Sequence, residues 1–194
     1  MTTKLDRRDV VKRLMADRGD TVAVTGLGAT TYDLAACGDS DRNFYLWGAM
    51  GGAATIGLGL ALAQPDLPVL VLTGDGEMLM GMGSFATIGI HNPPNLTIVV
   101  LDNEAYGETG GQATHTAHKT DLSAVAKACG IADAVTLTTM EEVSAFAQRI
   151  GKLGTGTAVA VVKIDPAEAD KVLPTRDGVV LMNRVRGALG FSPT

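Results

Sequence analysis

The stretch of sequence that decides the fold runs from Pro68 to Asn103 and reads PVLVLTGDGEMLMGMGSFATIGIHNPPNLTIVVLDN. It contains two mainly apolar runs, at 68–73 and 95–102, each as long as a single strand. A helical pattern at 83–91 separates them, and the Asn-Pro-Pro sequence ends it. Runs of this kind are typical of central strands in a parallel sheet, because such strands are covered on both faces.

Helices and strands alternate outward from this stretch in both directions. The pattern predicts strands at 21–25, 43–47 and 157–164, helices at 6–18, 51–63, 121–129, 140–152 and 178–189, and a polar, glycine-rich loop at 103–119. Strands that alternate with helices form crossover units and a parallel sheet. We therefore predict a single α/β domain over 1–194, with a doubly wound, mainly parallel sheet and helices on both faces.

The composition excludes several classes of protein. Of the 194 residues, 46% are apolar and 19% are charged, which predicts a folded core and excludes general disorder. The net charge of -5, without a basic block, argues against nucleic acid as a partner. Two cysteines, Cys37 and Cys129, are too few for a disulfide framework or a zinc ribbon, and we expect them to be small core residues. The charged start of the chain has no secretory signal, so we predict a cytoplasmic protein.

One segment requires a test for a membrane span. Residues 46–63 are uncharged over 18 positions, which is near the lower limit for a spanning helix. Five of these residues are glycines, which weaken a helix, and a Gln-Pro-Asp sequence follows at once. We therefore predict a closely packed, buried helix and no membrane partner.

Polar turns follow both central strands of the predicted sheet. Gly74-Asp75-Gly76-Glu77 follows the first strand, and Asp102-Asn103 follows the second. Ligands of doubly wound sheets bind at the carboxyl ends of the strands, so these turns are candidates for a site. Carboxylate and amide oxygens suit Mg²⁺, and glycines allow backbone N–H groups to approach a phosphate. The residues thus indicate a magnesium-bridged diphosphate site, with plain strand-end turns as the alternative.

The spacing of these turns resembles a known cofactor motif. Gly74-Asp75-Gly76, then 25 residues, then Asp102-Asn103 is similar to the thiamine diphosphate motif, except that Asp102 replaces the first asparagine of the motif. The resemblance implies that Mg²⁺ is bound by the side chains of Asp75 and Asn103 and by the backbone carbonyl of Ala105. It also implies that the N–H groups of Gly76 and Glu77 face the diphosphate.

Two further segments carry the same resemblance. Gly48-Ala49-Met50-Gly51 is similar to the turn of thiamine diphosphate decarboxylases in which a large apolar residue bends the cofactor, and Met50 takes that position. An ordinary core methionine is the alternative. The turn around Gly26, in Thr25-Gly26-Leu27-Gly28, resembles the other diphosphate loop of the family, with a generic strand-to-helix turn as the alternative.

The run from Tyr106 to Gln112, YGETGGQ, resembles the branch of sulfopyruvate and phosphonopyruvate decarboxylases. The resemblance implies the diphosphate domain of a thiamine diphosphate-dependent lyase, which decarboxylates a small anionic 2-oxo acid to an aldehyde. It places Tyr106 beside the cofactor and gives Gln112, with Met50, a catalytic role.

The resemblance also implies a partner. Enzymes of this family need a second domain that binds the pyrimidine ring and supplies an activating glutamate. These 194 residues have room for the diphosphate domain only. We therefore predict a separate pyrimidine-binding subunit in a heteromer, and we expect that subunit to supply cationic groups for the substrate.

Several alternatives remain open from the sequence. The chain has the cofactor motif of a small subunit of a ferredoxin-linked 2-oxoacid oxidoreductase, or of a cofactor-binding chain without turnover. Gly81, Gly83 and Ala86 fit a nicotinamide-binding pattern, but they start eight residues after the strand ends. His115 and His118 are either proton donors in a flap over the cofactor or solvated loop residues.

Overall fold

Helices and strands alternate along the computed structural model, which describes residues 4–167 and 169–192. In chain order the described elements are α1 (Arg7–Met15), β1 (Val22–Thr25), α2 (Ala29–Ala36), β2 (Asn43–Tyr45), α3 (Ala53–Ala63), β3 (Val69–Gly74), α4 (Asp75–Met80), α5 (Ser84–His91), β4 (Leu96–Asp102), β5 (Ala105–Tyr106), β6 (Gln112–Ala113), α6 (Leu122–Ala128), β7 (Asp133–Leu137), α7 (Met140–Ala147), β8 (Ala158–Lys163) and α8 (Gly178–Ala188). Two 3₁₀ turns, Gly107–Thr109 and His115–Ala117, lie beside β6.

Six strands form one sheet in the order β2-β1-β3-β4-β8-β7, and every neighbouring pair is parallel. The strands β5 and β6 form a separate antiparallel hairpin. The predicted doubly wound α/β fold is therefore confirmed. The extension of one domain over all of 1–194 stays a prediction.

Two apolar layers cover the sheet, one on each face. On one side, Leu70 and Leu72 of β3 pack with residues of α1, α2, α7 and α8. On the other side, Val69 and Val71 pack with residues of α3, α4, α5 and α6. Because alternate residues of a strand point to opposite faces, one apolar run serves both layers.

The glycine-rich segment forms a short helix against the sheet. The helix α3 begins at Ala53, and a Cβ atom added to Gly57 would lie 2.2 Å from Cγ2 of Val71 in β3. Glycine at this position therefore lets the helix approach the sheet more closely than any other residue would. The predicted burial holds for one face of α3 only, since Thr55, Gly59 and Leu62 on the other face are exposed. None of the helices in the described part of the chain is long and apolar enough to cross a membrane.

Several elements differ from the prediction. The residues after Gly74 continue directly into α4, and the predicted loop at 103–119 contains the hairpin and both 3₁₀ turns. The strand β7 was not predicted, because its sequence DAVTL is only partly apolar and its burial is uneven. The helix predicted at 140–152 ends at Ala147. Cys37 is exposed, so its assignment to the core is wrong.

Candidate active site at the carboxyl edge of the sheet

A cavity of about 230 Å³ lies at the carboxyl ends of β1, β3 and β4. The chain leaves β1 for β2 on one side and returns to β3 on the other, so the cavity lies at the topological switch point of the sheet. The predicted site residues that line it are Met50, Gly74, Asp75, Gly76, Glu77, Asn103, Ala105 and Tyr106. The fold therefore brings together three segments that are far apart in the sequence.

Four predicted site residues do not line this cavity. Gly48 and Ala49 are exposed in the turn that leads to Met50. Gly26 lies behind the wall, where an added Cβ would overlap the Glu77 carboxylate at 1.4 Å from Oε2. The side chain of Gln112 is exposed and bonds with Thr109 in the same turn. Their roles at a bound cofactor stay predictions.

Asp75 is almost fully enclosed in the wall of the cavity, with 2% of its surface exposed. Its Oδ2 atom accepts hydrogen bonds from Oγ1 of Thr114 at 2.5 Å and from Oγ1 of Thr116 at 3.1 Å. Burial raises the pKa of this carboxyl, and the charge of Asp102 raises it further, while the two hydroxyls oppose the shift. A cation beside Asp75 would offset the cost of burying its charge.

The oxygen atoms available beside Asp75 fit a hard divalent cation. Oδ1 of Asn103 accepts a hydrogen bond from the N–H group of Ala105 at 3.1 Å, which fixes the amide and the following backbone in one turn. Together, Asp75, Asn103 and the carbonyl of Ala105 offer carboxylate, amide and peptide oxygens, the ligands that Mg²⁺ takes alongside phosphate. No cluster of three or more His, Cys, Asp or Glu side chains that could hold a metal occurs among residues 4–167 and 169–192. A metal at this edge would therefore need amide, peptide or phosphate oxygens.

Glu77 connects the segments that surround the cavity. It is 5% exposed, and its Oε2 atom accepts a hydrogen bond from the N–H group of Leu27 at 3.2 Å. Burial raises the pKa of its carboxyl, while the hydroxyl of Thr73 and the amides of Leu27, Ala53 and Gly51 oppose the shift. The side chain thus faces the loop after β1, the end of β3 and the start of α3.

Met50 owes its place in the cavity wall to two glycines. Gly51, which follows it, has a φ of +86°, in the left-handed region that glycine adopts readily. A Cβ atom added to Gly81 would lie 2.4 Å from the carbonyl oxygen of Gly51. The turn that carries Met50 therefore packs backbone against backbone on the end of α4.

Cationic side chains also line the cavity, which the sequence did not indicate. Arg7, Arg8 and Lys171 line it, and Arg7 is only 8% exposed. Nε of each arginine lies 2.7 Å from a carboxylate oxygen of Asp33, so two guanidinium groups share one carboxylate. Arg7 and Arg8 open a helix that precedes β1, and such a helix begins at the carboxyl edge of a parallel sheet. The position of this helix before β1 is the sequence signal that could have placed Arg7 and Arg8 at the cavity.

The remaining candidates lie away from the cavity. His115 and His118 are exposed and do not line it. Gly81 and Gly83 lie between α4 and α5 rather than between a strand and a helix. The nicotinamide alternative therefore lacks its structural context.

The comparisons with known proteins agree with this geometry. Residues 26–164 match the family model of the thiamine pyrophosphate enzymes, C-terminal TPP binding domain, where TPP is thiamine diphosphate under its other name. The chain belongs to this family. The predicted resemblance is therefore confirmed, and a thiamine diphosphate-binding domain is the class that the fold and the site define.

Two relatives narrow the class further. The beta subunit of sulfopyruvate decarboxylase from Methanocaldococcus jannaschii is 44% identical over 137 residues, which cover 70% of this chain and 72% of that relative. Phosphonopyruvate decarboxylase from Streptomyces viridochromogenes is 44% identical over 135 residues, which cover 69% of this chain but only 34% of that relative. The fold is also that of 2-oxoglutarate:ferredoxin oxidoreductase from Magnetococcus marinus, with a TM-score of 0.66, 20% identity and coverage of 96% and 77% of the two chains.

Proposed function

We propose that this chain is the diphosphate-binding subunit of a thiamine diphosphate-dependent lyase. Its substrate would be a small 2-oxo acid with a second anionic group, similar to sulfopyruvate or phosphonopyruvate, and the product an aldehyde. The observation that carries the proposal is the convergence of Asp75, Asn103 and Met50 on one cavity at the switch point of the sheet. Both relatives described above bear the names of decarboxylases, which supports this reaction.

Each wall of the cavity has a distinct task in this proposal. Asp75, Asn103 and the carbonyl of Ala105 would hold Mg²⁺, and the N–H groups of Gly76 and Glu77 would bind the diphosphate. Met50 would support the bent shape of the cofactor, and Tyr106 would pack beside it. When bound, thiamine diphosphate supplies the carbon nucleophile and the electron sink for loss of CO₂.

The cationic part of the cavity lining supports a ligand with several negative charges. Two guanidinium groups face the single carboxylate of Asp33, which leaves a net positive charge beside it, whereas Lys171 lies 4.0 Å from the carboxylate of Glu108. Anionic groups are more stable near such a surplus of positive charge. This chain therefore contributes cations itself, and a partner need not supply all of them.

We propose that a separate subunit completes the site. The matching relative from Methanocaldococcus jannaschii is named a beta subunit, which implies a separate partner chain for that protein. The matching phosphonopyruvate decarboxylase is about three times as long as the aligned region, which leaves room for further domains in one chain. In our proposal the partner binds the pyrimidine ring and supplies the activating glutamate. The cytoplasmic location stays a prediction.

The decisive experiment is a calorimetric titration of thiamine diphosphate with Mg²⁺. It would be done on this chain alone and on the chain co-expressed with the product of an adjacent gene. We expect tight binding in the complex, little binding by the chain alone, and none in the complex that carries Asp75→Ala. Binding that survives Asp75→Ala contradicts the assigned metal site, and absence of binding in both wild-type samples contradicts the cofactor.

Measurement of the reaction products distinguishes the proposed function from two alternatives. A ferredoxin-linked oxidoreductase would transfer electrons to a viologen dye, whereas a decarboxylase releases CO₂ and aldehyde without reducing the dye. This alternative has less support, because the two relatives at 44% identity are both named decarboxylases. A chain that binds the cofactor without turnover would show neither product in the complex.

A further inference from the structure

An ion pair between a buried carboxylate and a partly exposed lysine lies next to the proposed metal site. Asp102 ends β4 and is aligned with Lys163 at the end of β8, and Nζ of Lys163 lies 2.7 Å from Oδ2 of Asp102. Only 1% of the Asp102 surface is exposed. Its other oxygen, Oδ1, accepts a hydrogen bond from Oγ1 of Thr116 at 2.7 Å. Both oxygens of this buried carboxylate therefore have a donor.

Two threonine hydroxyls connect this ion pair with Asp75. The β5–β6 hairpin returns the chain to the edge of the sheet, and the N–H group of Thr114 donates to the carbonyl of Glu104 at 3.0 Å. The hydroxyls of Thr114 and Thr116, which are both buried, lie 2.8 Å apart, and both contact Oδ2 of Asp75. Oδ1 of Asp75 takes part in neither of these two bonds.

The number of hydroxyl protons determines which carboxylate accepts a hydrogen bond from each threonine. Each threonine hydroxyl has a single proton to donate. The shortest contact of each hydroxyl is with a different carboxylate: 2.5 Å from Thr114 to Asp75 and 2.7 Å from Thr116 to Asp102. Two protons thus serve two neighbouring carboxylates, and Lys163 supplies the positive charge that they lack.

We propose that Lys163, Asp102, Thr116 and Thr114 form a relay that positions the Asp75 carboxylate for its divalent cation. The Thr114 hydroxyl donates to Oδ2 of Asp75, and the Thr116 hydroxyl, which donates to Asp102, contacts Thr114. In this arrangement Oδ1 of Asp75 is the oxygen left for the metal. The inference rests on the proposed function, because the cation is the one that accompanies thiamine diphosphate. It assigns a positioning role to Asp102, for which the resemblance implied none, and to Lys163, Thr114 and Thr116, which lie outside the motif.

The departure of Asp102 from the motif explains why the relay needs a lysine. The resembling motif has asparagine at this position, and a neutral amide beside Asp75 requires no counter-charge. A buried carboxylate, by contrast, is costly unless a cation compensates it. Lys163 does so in this chain: burial would lower the pKa of its ammonium group, but bonds to Asp102 and Glu104 raise it. Asp102 and Lys163 therefore form a coupled pair, and a substitution of one should be tolerated better when the other is substituted as well.

The test measures cation affinity in the complex of this chain with its partner subunit. Mn²⁺ would serve as the probe, and free Mn²⁺ would be followed by electron paramagnetic resonance in the presence of thiamine diphosphate. We expect Lys163→Met to weaken Mn²⁺ binding about ten- to hundredfold, since residues behind a metal ligand typically have effects of that size. The double variant Asp102→Asn with Lys163→Met should recover affinity to within a few-fold of wild type.

Two further variants separate positioning from folding. Thr116→Val removes one donor and should weaken Mn²⁺ binding about tenfold, whereas Thr116→Ser keeps the hydroxyl and should restore the affinity. Lys4→Met is the matched control, because Lys4 bonds to Glu104 at 2.7 Å but not to Asp102, and its Mn²⁺ affinity should stay that of wild type. The melting temperature of the cofactor-free complex should be similar for both Thr116 variants.

The outcomes distinguish this inference from the proposed function. If the wild-type complex binds no Mn²⁺ with thiamine diphosphate, the proposed function fails and the relay fails with it. If the wild type binds Mn²⁺ but Lys163→Met and Thr116→Val bind it equally well, the relay alone is overturned. If the double variant binds Mn²⁺ no better than Lys163→Met, the coupling of Asp102 and Lys163 is wrong.

Discussion

Two neighbouring parts of the site are held in opposite ways. Asp75 and Glu77, at the end of β3, are almost fully buried, and their carboxylates contact the hairpin and the loop after β1. The hairpin tip, by contrast, is exposed, and the side chains of Thr109 and Gln112 bond to each other within one turn. The edge of the sheet is therefore fixed by the fold, whereas the tip is fixed by local bonds.

The difference in burial between the edge of the sheet and the hairpin tip indicates which function each part can have. Groups that bind a cation and a diphosphate need fixed positions, because a misplaced ligand loses affinity steeply. The buried edge of the sheet meets that requirement before any ligand binds. The exposed tip is suited to contacts made after binding, with a substrate or a partner subunit. The variants below test whether cofactor affinity depends on the edge and turnover on the tip.

The largest expected effect comes from the edge of the sheet. Asp75→Ala removes the buried carboxylate, and we expect affinity for thiamine diphosphate with Mg²⁺ to fall at least about a hundredfold in the complex. Calorimetry measures it directly. Asp66→Ala, in an exposed loop, is the control and should bind as wild type does. Equal losses in the two variants would mean that affinity does not depend on the edge.

The turn that carries Met50 should be the next most sensitive. Gly81→Ala places a Cβ atom 2.4 Å from the carbonyl oxygen of Gly51, so the turn that carries Met50 must shift. We expect kcat to fall about tenfold or more, because misplacement of groups around the reacting centre is costly. Gly83→Ala is matched to it, since nothing lies within 4 Å of an added Cβ there. Unchanged kcat in both variants would show that the position of this turn does not matter.

Substitutions on the two faces of α3 should change the unfolding free energy by small amounts and in opposite directions. Gly57→Ala forces a Cβ atom to within 2.2 Å of Val71, and overpacking of this kind costs about 1–3 kcal/mol of unfolding free energy. Gly59→Ala adds its methyl group to open space and should stabilise the helix by up to about 1 kcal/mol. Urea titration measures both values. If both substitutions changed the unfolding free energy in the same direction, the close packing of α3 on β3 would be contradicted.

The smallest effect on cofactor binding is expected at the hairpin tip. Gln112→Ala removes a side chain that bonds to Thr109 and does not line the cavity. We expect cofactor affinity to stay within about twofold of wild type, a difference of about 0.4 kcal/mol. Its predicted catalytic role requires kcat to fall, which a steady-state assay of aldehyde formation would detect. A large loss of affinity with unchanged kcat would reverse the comparison between edge and tip.

The sheet is predictable from its apolar strands. Half of the site is predictable because its residues directly follow the ends of these strands. The apolar runs at 68–73 and 95–102 indicate central strands, and the turns after them place Asp75 and Asn103 at one edge. That inference needs only the parallel arrangement of two neighbouring strands. Met50 and Gly26 were found by resemblance: Met50 does not directly follow a strand, and Gly26, which follows β1, carries no side chain to indicate a site.

The rest depends on geometry that a linear sequence does not express. Thr114 and Thr116 reach Asp75 because the hairpin folds back, and the residues 103–119 read as a polar loop. Arg7 and Arg8 lie about seventy positions from the motif and approach the cavity through helix packing. Lys163 would be read as an ordinary polar strand end, unless its alignment with Asp102 were known.

The aligned charges of Asp102 and Lys163 have a consequence for the assembly of the sheet. Parallel strands made of Val, Leu and Ala can slide by two residues and still present the same apolar face. A slide of β8 along β4 would leave Asp102 buried without its cation, a far larger penalty than any change in apolar packing. The pair therefore favours one alignment of β8 with β4 during folding, before any cofactor is bound.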